Sequence, residues 1–200
     1  MPEHDDGFVD PADGGRLHYE VAGTGPAVTL LHPGLWDMRA WDPQFEPWAE
    51  RFRVLRYDMR GYGASSRPDG SAYSHVRDLE AVLDEEGIDR FHLMTFSRGT
   101  SWGLQLALAH RGRVASLSIG DYRAAEVALT REMVEAQLAT WFRGKPVSER
   151  VPAHVLVELG RESKARDLWD DLASLSCPLL VARPGAAGIL DDEQVDRYRA

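Results

Sequence analysis

The sequence predicts an α/β protein built on a mainly parallel, doubly wound sheet, and three observations carry that prediction. Short apolar runs alternate with longer segments of helical periodicity along most of the chain. The runs at 27–31 and 91–96 read as strands buried on both faces. Gly and Pro punctuate the joints between elements, as short connections in a packed fold require.

Taken in order, 16–21 alternates moderately after Asp13-Gly14-Gly15 and reads as a strand leaving a tight turn. The run Ala-Val-Thr-Leu-Leu at 27–31 is bounded by Gly25-Pro26 and Pro33-Gly34. A further strand is expected at 52–57, ending at Asp58. Residues 71–86 read as a helix: Val76, Leu79, Val82 and Leu83 share one face, and Gly87 stands where a C-terminal cap belongs. A strand at 91–96 runs into a helix at 98–110, and strands at 114–119 and 179–182 complete the set. The stretch 122–172 breaks the rhythm. It shows no strand pattern and three helical ones, at 132–142 (Val134, Leu138, Trp141, Phe142), 155–159 and 167–175. It reads as a helical cap insertion in a core made of 1–121 and 173–200, set above the C-terminal strand ends where open α/β folds bind ligands.

Composition narrows the function classes. Two hundred residues suit one domain with a modest insertion. Twenty-three basic against 32 acidic residues leave a net charge of −9, which argues against a nucleic-acid partner. No apolar run approaches the roughly 18 residues of a membrane span, and the acidic start is not a signal peptide, so a cytoplasmic, soluble protein is expected. The single cysteine, Cys177, excludes an internal disulfide and a cysteine-based zinc site. No metal constellation, phosphate loop or cofactor motif stands out, so neither metal nor cofactor is expected; the partner expected is a small-molecule substrate, and homo-oligomerisation stays open. Only two of the basic residues are lysines, which suggests a GC-rich bacterial coding sequence.

The segment that carries chemistry is Leu93-Met94-Thr95-Phe96-Ser97-Arg98-Gly99. A buried strand runs into a serine and a helix starts directly after it. Such a turn is sharp, strains the serine backbone and needs small residues two before and two after it. Gly99 meets that need and Thr95 meets it poorly. The turn lifts the Ser97 hydroxyl to the strand end and aims the free N–H groups of the helix at it, which suits an oxyanion formed in acyl transfer. The bland reading of Ser97 is a helix N-cap.

Four segments in order resemble the α/β-hydrolase family: Leu31-His32-Pro33-Gly34, Tyr57-Asp58-Met59-Arg60-Gly61-Tyr62-Gly63-Ala64-Ser65, the serine turn, and Cys177-Pro178-Leu179-Leu180-Val181. The resemblance implies Ser97 as nucleophile, with the backbone N–H of Arg98 as one oxyanion donor. The second donor would lie in the loop after His32; Gly34 is chosen, because Pro33 has no N–H. The triad acid is expected at Asp121, after the sixth strand, with Asp191 behind it; the bland readings are a turn aspartate and a helix N-cap. A serine at the turn argues against the haloalkane and epoxide branches, which carry aspartate there. Trp36 is a candidate pocket wall, with Trp141 and Trp169 behind it. Arg98 would either grip a substrate carboxylate or form a surface ion pair.

The family's general base is a histidine after an eighth strand, and none of the seven histidines holds that place. His32 is expected to order its loop, His92 to pack, His110 to complement the end of a helix, His18 and His75 to be strand and loop residues, and His4 to lie in a frayed terminus. His154, in the insertion, is the one that could swing over the site. Either the chain is shorter than the functional protein, lacking the last strand, helix and histidine, or the protein has no general base. The first is favoured, since ending here leaves the seventh strand as an open edge. The expected function is hydrolysis of a carboxylic ester, thioester or lactone of a small apolar metabolite through an acyl-enzyme on Ser97. The rivals are C–C bond hydrolysis or cofactor-free rearrangement in the same pocket, and a non-catalytic binding or scaffold protein.

Overall fold

A computed structural model describes residues 4–142, 144–149, 151, 155, 165–185 and 188–199. Seven strands form one sheet: β1 (His4–Val9), β2 (Leu17–Ala22), β3 (Ala27–Leu31), β4 (Arg53–Tyr57), β5 (Phe91–Phe96), β6 (Val114–Gly120), and the C-terminal strand Leu179–Ala182. Their spatial order is β1-β2-β4-β3-β5-β6 followed by Leu179–Ala182. From β4 onward all neighbours are parallel; β1–β2 and β2–β4 are antiparallel. The doubly wound, mainly parallel sheet expected from the alternation is therefore present.

The helices α1 (Asp42–Ala49), α2 (His75–Glu85) and α3 (Gly99–Ala109) cover the two faces. Side chains alternate across a strand, so each central strand feeds two cores. Val28 and Leu30 of β3 and Val54 of β4 meet Trp41 and Phe45 on the α1 side. Leu31, Leu55 and Leu93 meet Leu79, Leu83 and Leu104 on the α2–α3 side. Burial on both faces is why these strands read as continuous apolar runs. α2 ends as its sequence signals. Gly87 takes φ 61°, its N–H bonds the Asp84 carbonyl at 3.1 Å, and the Ile88 N–H bonds the Leu83 carbonyl at 2.8 Å.

Three expectations are corrected. The N-terminus is not frayed at His4: residues 4–9 pair along the whole of β2, and the His4 ring packs edge-on against Phe45 at 5.5 Å. The alternation was hidden there because β1 is an exposed edge strand with few apolar side chains. The insertion is not purely helical. Its helix α4 (Arg131–Ala139) stops short of Trp141 and Phe142, which pair with Lys145–Pro146 in a two-stranded ribbon. Ala125–Glu126 pairs with Arg166–Asp167, leaving only a 3₁₀ turn, Asp170–Ser174, where a longer helix was expected. Apolar spacing cannot separate helix from ribbon over so few residues. The helix expected at 155–159 and His154 lie outside the described residues, apart from Val155. Trp141 is 71% exposed; the Trp169 ring packs tilted against Tyr198 with centroids 4.6 Å apart.

The strand Leu179–Ala182 is the sheet edge, with Leu180 63% exposed. The helix Asp192–Arg199 follows it, and its Tyr198 hydroxyl donates to the Tyr122 carbonyl at 2.9 Å. Among the described residues no helix is long and apolar enough to cross a membrane.

Candidate active site

β5 ends at Phe96 and α3 begins at Gly99, so the chain reverses direction within two residues. Ser97 absorbs that turn at φ 52°, the left-handed region that L-residues avoid. The strain is tolerated because the flanks are locked. The Ser97 N–H bonds the Gly120 carbonyl at 2.9 Å, and the Ser97 carbonyl accepts the Thr100 N–H at 2.9 Å. Gly99 is needed for close approach: a Cβ there would lie 2.6 Å from the His32 carbonyl oxygen.

Thr95, where a small residue was called for, is accommodated by a residue that sequence reading did not single out. Gly103, one turn into α3, leaves room for the Thr95 methyl; a Cβ on Gly103 would stand 2.5 Å from Thr95 Cγ2. The Thr95 hydroxyl is also paired, to Thr100 Oγ1 at 2.9 Å and to the Ser118 carbonyl at 3.2 Å. The available signal was the glycine inside an otherwise apolar helix.

The loop after β3 is held by His32. Its Nδ1–H donates to the Pro33 carbonyl at 2.9 Å, and its Nε2 accepts the Met59 N–H at 3.0 Å. This pattern fits a neutral ring, and burial lowers its pKa accordingly. Tyr62 adds a bond from its hydroxyl to the Gly34 carbonyl at 2.9 Å. Asp58 fixes the next loop. Burial opposes its ionisation, but bonds from His18 and from the Met38 and Ala64 amides outweigh that and keep its pKa low. The N–H groups of Gly34 and Arg98 have no bonding partner among the described residues. Gly34, Ser97 and Arg98 line one cavity of about 190 Å³, with Leu129, Met133 and Ile189 on its walls. No described side chain hydrogen-bonds the Ser97 hydroxyl.

Asp121 ends β6 beside this turn, also at positive φ, 49°. Its carboxylate accepts the Ile189 N–H at 2.9 and 3.0 Å and the Leu190 N–H at 3.2 Å. Gly188 permits that approach, since a Cβ would fall 2.5 Å from Asp121 Oδ1. Asp191 is instead an exposed cap of the last helix, accepting the Gln194 N–H at 2.8 Å while its own N–H bonds the Gln194 side chain at 3.3 Å. Leu35, not Trp36, is among the described residues lining the cavity, and the Trp36 N–H bonds the Pro33 carbonyl at 3.3 Å.

No described histidine lines the cavity. His75 is not a loop residue but the buried start of α2, its ring 4.2 Å from that of Trp102. His92 does not pack: it is exposed and bonds Ser116 at 2.7 Å. His110 ends α3 as expected and pairs with Glu80. Arg98 forms no surface ion pair among the described residues; it is 8% exposed. Away from the cavity, Asp6, His18 and Glu20 bring one potential metal-ligand atom each within 4.8 Å of one another. Those atoms already have partners: Glu20 is held by Arg56, and His18 by Asp6 and Asp58.

Comparison with known proteins agrees with this architecture. The family model described as alpha/beta hydrolase fold matches residues 26–192. The proposed carbamate hydrolase RutD of Caulobacter vibrioides is 38% identical over 110 residues, which is 52% of this chain and 41% of that protein. A fluoroacetate dehalogenase of a Burkholderia species is 35% identical over 108 residues, 50% of this chain and 36% of that one. The matched stretch thus spans about two fifths of the length of these relatives. A hydrolase from Pseudomonas aeruginosa PA01 superposes with a TM-score of 0.78 at 26% identity, over 96% of this chain and 85% of that one. An esterase of Exiguobacterium antarcticum shares the fold at 20% identity and a TM-score of 0.78, over 94% of this chain and 84% of that one. With its sheet order, its strained strand–serine–helix turn and a match over most of its length, this chain belongs to the α/β-hydrolase fold family.

Proposed function

We propose that the protein is a serine hydrolase acting on a carboxylic ester, thioester or lactone of a small metabolite, through an acyl-enzyme on Ser97. The observation that carries this reading is the left-handed Ser97 at the rim of a cavity that it shares with Gly34 and Arg98, whose amides have no other described partner. In this reading Ser97 Oγ attacks the carbonyl carbon. Its proton passes to a histidine, which then protonates the leaving group. The Gly34 and Arg98 amides receive the oxyanion. Asp121 orients the histidine, which is not among the described residues. Water, activated by the same base, then releases the acyl group. Leu129 and Met133 supply an apolar wall for the acyl chain, within the cap assigned to 122–172.

RutD is named for carbamates, whose carbonyl is open to the same attack. The dehalogenase match does not move the proposal toward that chemistry, because the turn carries serine and not aspartate. The net charge of −9 supports a small-molecule rather than a nucleic-acid partner. A fluorophosphonate probe tests the reading. Labelling of the wild-type protein and none of Ser97→Ala is expected, with esterase turnover falling at least about 10³-fold in the variant. Equal labelling of both proteins would overturn it.

A further inference from the structure

The cavity that Ser97 opens onto is lined by two arginines, Arg98 and Arg123. Elsewhere the less exposed arginines are neutralised: Arg56 pairs with Glu20 and Asp42, Arg60 with Asp13 and Asp78, and Arg113 with Asp84. Arg98 and Arg123 have no ion pair and no side-chain hydrogen bond among the described residues, although the chain as a whole carries a net charge of −9. Arg98 is more than nine-tenths buried, and its stem runs so close under the Gly34 loop that a Cβ on Gly34 would lie 2.9 Å from its Cδ. The Nε of Arg123 is fully buried and has no hydrogen-bond partner among the described residues. A guanidinium nitrogen withdrawn from water without a partner is a costly arrangement, and the cavity wall holds the buried Arg98 and the half-buried Arg123, neither with a counter-charge among the described residues, so a ligand that enters can satisfy both.

We propose that Arg98 and Arg123 form an anion-recognition end of this cavity, and that the preferred substrate carries a free carboxylate at the far end of a short acyl chain. A guanidinium presents parallel N–H groups at the spacing of the two carboxylate oxygens. The cavity is small, about 190 Å³, so a group held by the arginines stays within a short chain of the Ser97 hydroxyl. Leu129 and Met133 cover the methylenes between. The reaction consumes one water, breaks the acyl–oxygen bond, and releases the alcohol and a dicarboxylate. The substrate class rests on the reading of Ser97 as nucleophile; the anion site itself does not.

The test compares monomethyl succinate with its neutral counterpart methyl succinamate. In the wild-type protein kcat/KM for the charged ester should exceed that for the neutral one by about tenfold or more, mainly through KM. In Arg98→Met and in Arg123→Met that ratio should fall at least tenfold, and Arg98→Lys should restore part of it, since it returns the charge without the fork. Calorimetry on Ser97→Ala, which cannot turn the ester over, reads the site alone: monomethyl succinate should bind, and adding Arg123→Met should weaken it at least tenfold. Arginine-dependent binding without turnover of any ester in the wild type would sink the hydrolase reading and keep the anion site. A wild-type ratio of one or less, or a ratio unchanged in both arginine variants, would overturn the proposal. The wild-type ratio decides even if a variant fails to fold.

Discussion

Two histidines outside the candidate site make opposite contributions to stability as pH changes. His18 bonds Asp58 through Nδ1 at 3.3 Å and Asp6 through Nε2 at 2.7 Å. The Asp58 bond is the main cause that raises its pKa from 6.5 to about 9; partial burial opposes the shift, and Asp6 adds to it. The folded state therefore holds this proton more tightly than the unfolded state. The stabilisation is complete below about pH 6.5 and is lost as pH rises through about 9. His75 behaves the other way. Burial first, then the nearby charges of Arg60 and Arg98, lowers its pKa to about 3. Here the unfolded chain binds the extra proton, so stability falls as pH drops from 6.5 toward 3. Urea midpoints measured from pH 3 to 9.5 should show both arms. His18→Gln should flatten the alkaline arm only. His75→Phe, which keeps a ring against Trp102, should flatten the acid arm only. Parallel profiles for wild type and variants would show these rings are not the titrating groups.

At the scale of elements, the site depends on how closely α3 is laid on β5. The strand–serine–helix turn is a local feature, but the approach behind it is not. Gly99 clears the His32 carbonyl, and Gly103 clears the Thr95 methyl. The family pattern places a small residue at position 95; this chain has moved the small residue to the helix that faces it. That exchange predicts an energetic coupling. Gly103→Ala should destabilise the protein by about 1–3 kcal/mol through overpacking against Thr95. Thr95→Gly should recover much of that loss in the double variant, giving a coupling energy of about 1 kcal/mol or more in denaturant-unfolding cycles. Strict additivity would mean that the contact is relieved elsewhere. The loop after β3 was more legible. His32 was expected to order it, and its bonds to Pro33 and Met59 do so. In the same loop Leu35, the neighbour of the expected Trp36, is among the described residues on the cavity wall.

Across the whole molecule, one buried charge network ties distant parts of the chain together. Arg60, after β4, bonds both oxygens of Asp78 in α2 at 2.8–2.9 Å and reaches Asp13, in the turn before β2, at 2.5 Å. The Asp78 side chain is fully buried, and burial raises its pKa against the pull of Arg60. Arg60→Met strands that carboxyl and should cost about 3–5 kcal/mol in chemical denaturation, whereas Arg60→Met with Asp78→Leu should recover most of it. Similar losses in both would show that Arg60 acts by packing alone. In the sequence Arg60 stands inside the segment that resembles the family's turn after β4. Nothing in that segment pointed to Asp78 or Asp13 as partners of Arg60.

What the sequence determined alone was everything encoded within a few neighbouring residues. The runs 27–31, 91–96 and 179–182 are strands at those bounds, the Gly87 cap stops α2, and the serine turn stands where a strand meets a helix. Periodicity and steric limits on φ act over one or two turns of chain, so a linear reading captures them. Tertiary structure decided what depends on partners far along the chain. It set Asp121 against the amides of Ile189 and Leu190, 68 and 69 residues away, and made Asp191 a helix cap. It paired the polar strand β1, folded parts of the insertion into short ribbons, and set Arg98 and Arg123 on the cavity wall with no counter-charge among the described residues. Those outcomes follow from which surfaces meet when the sheet closes, and no local pattern specifies that.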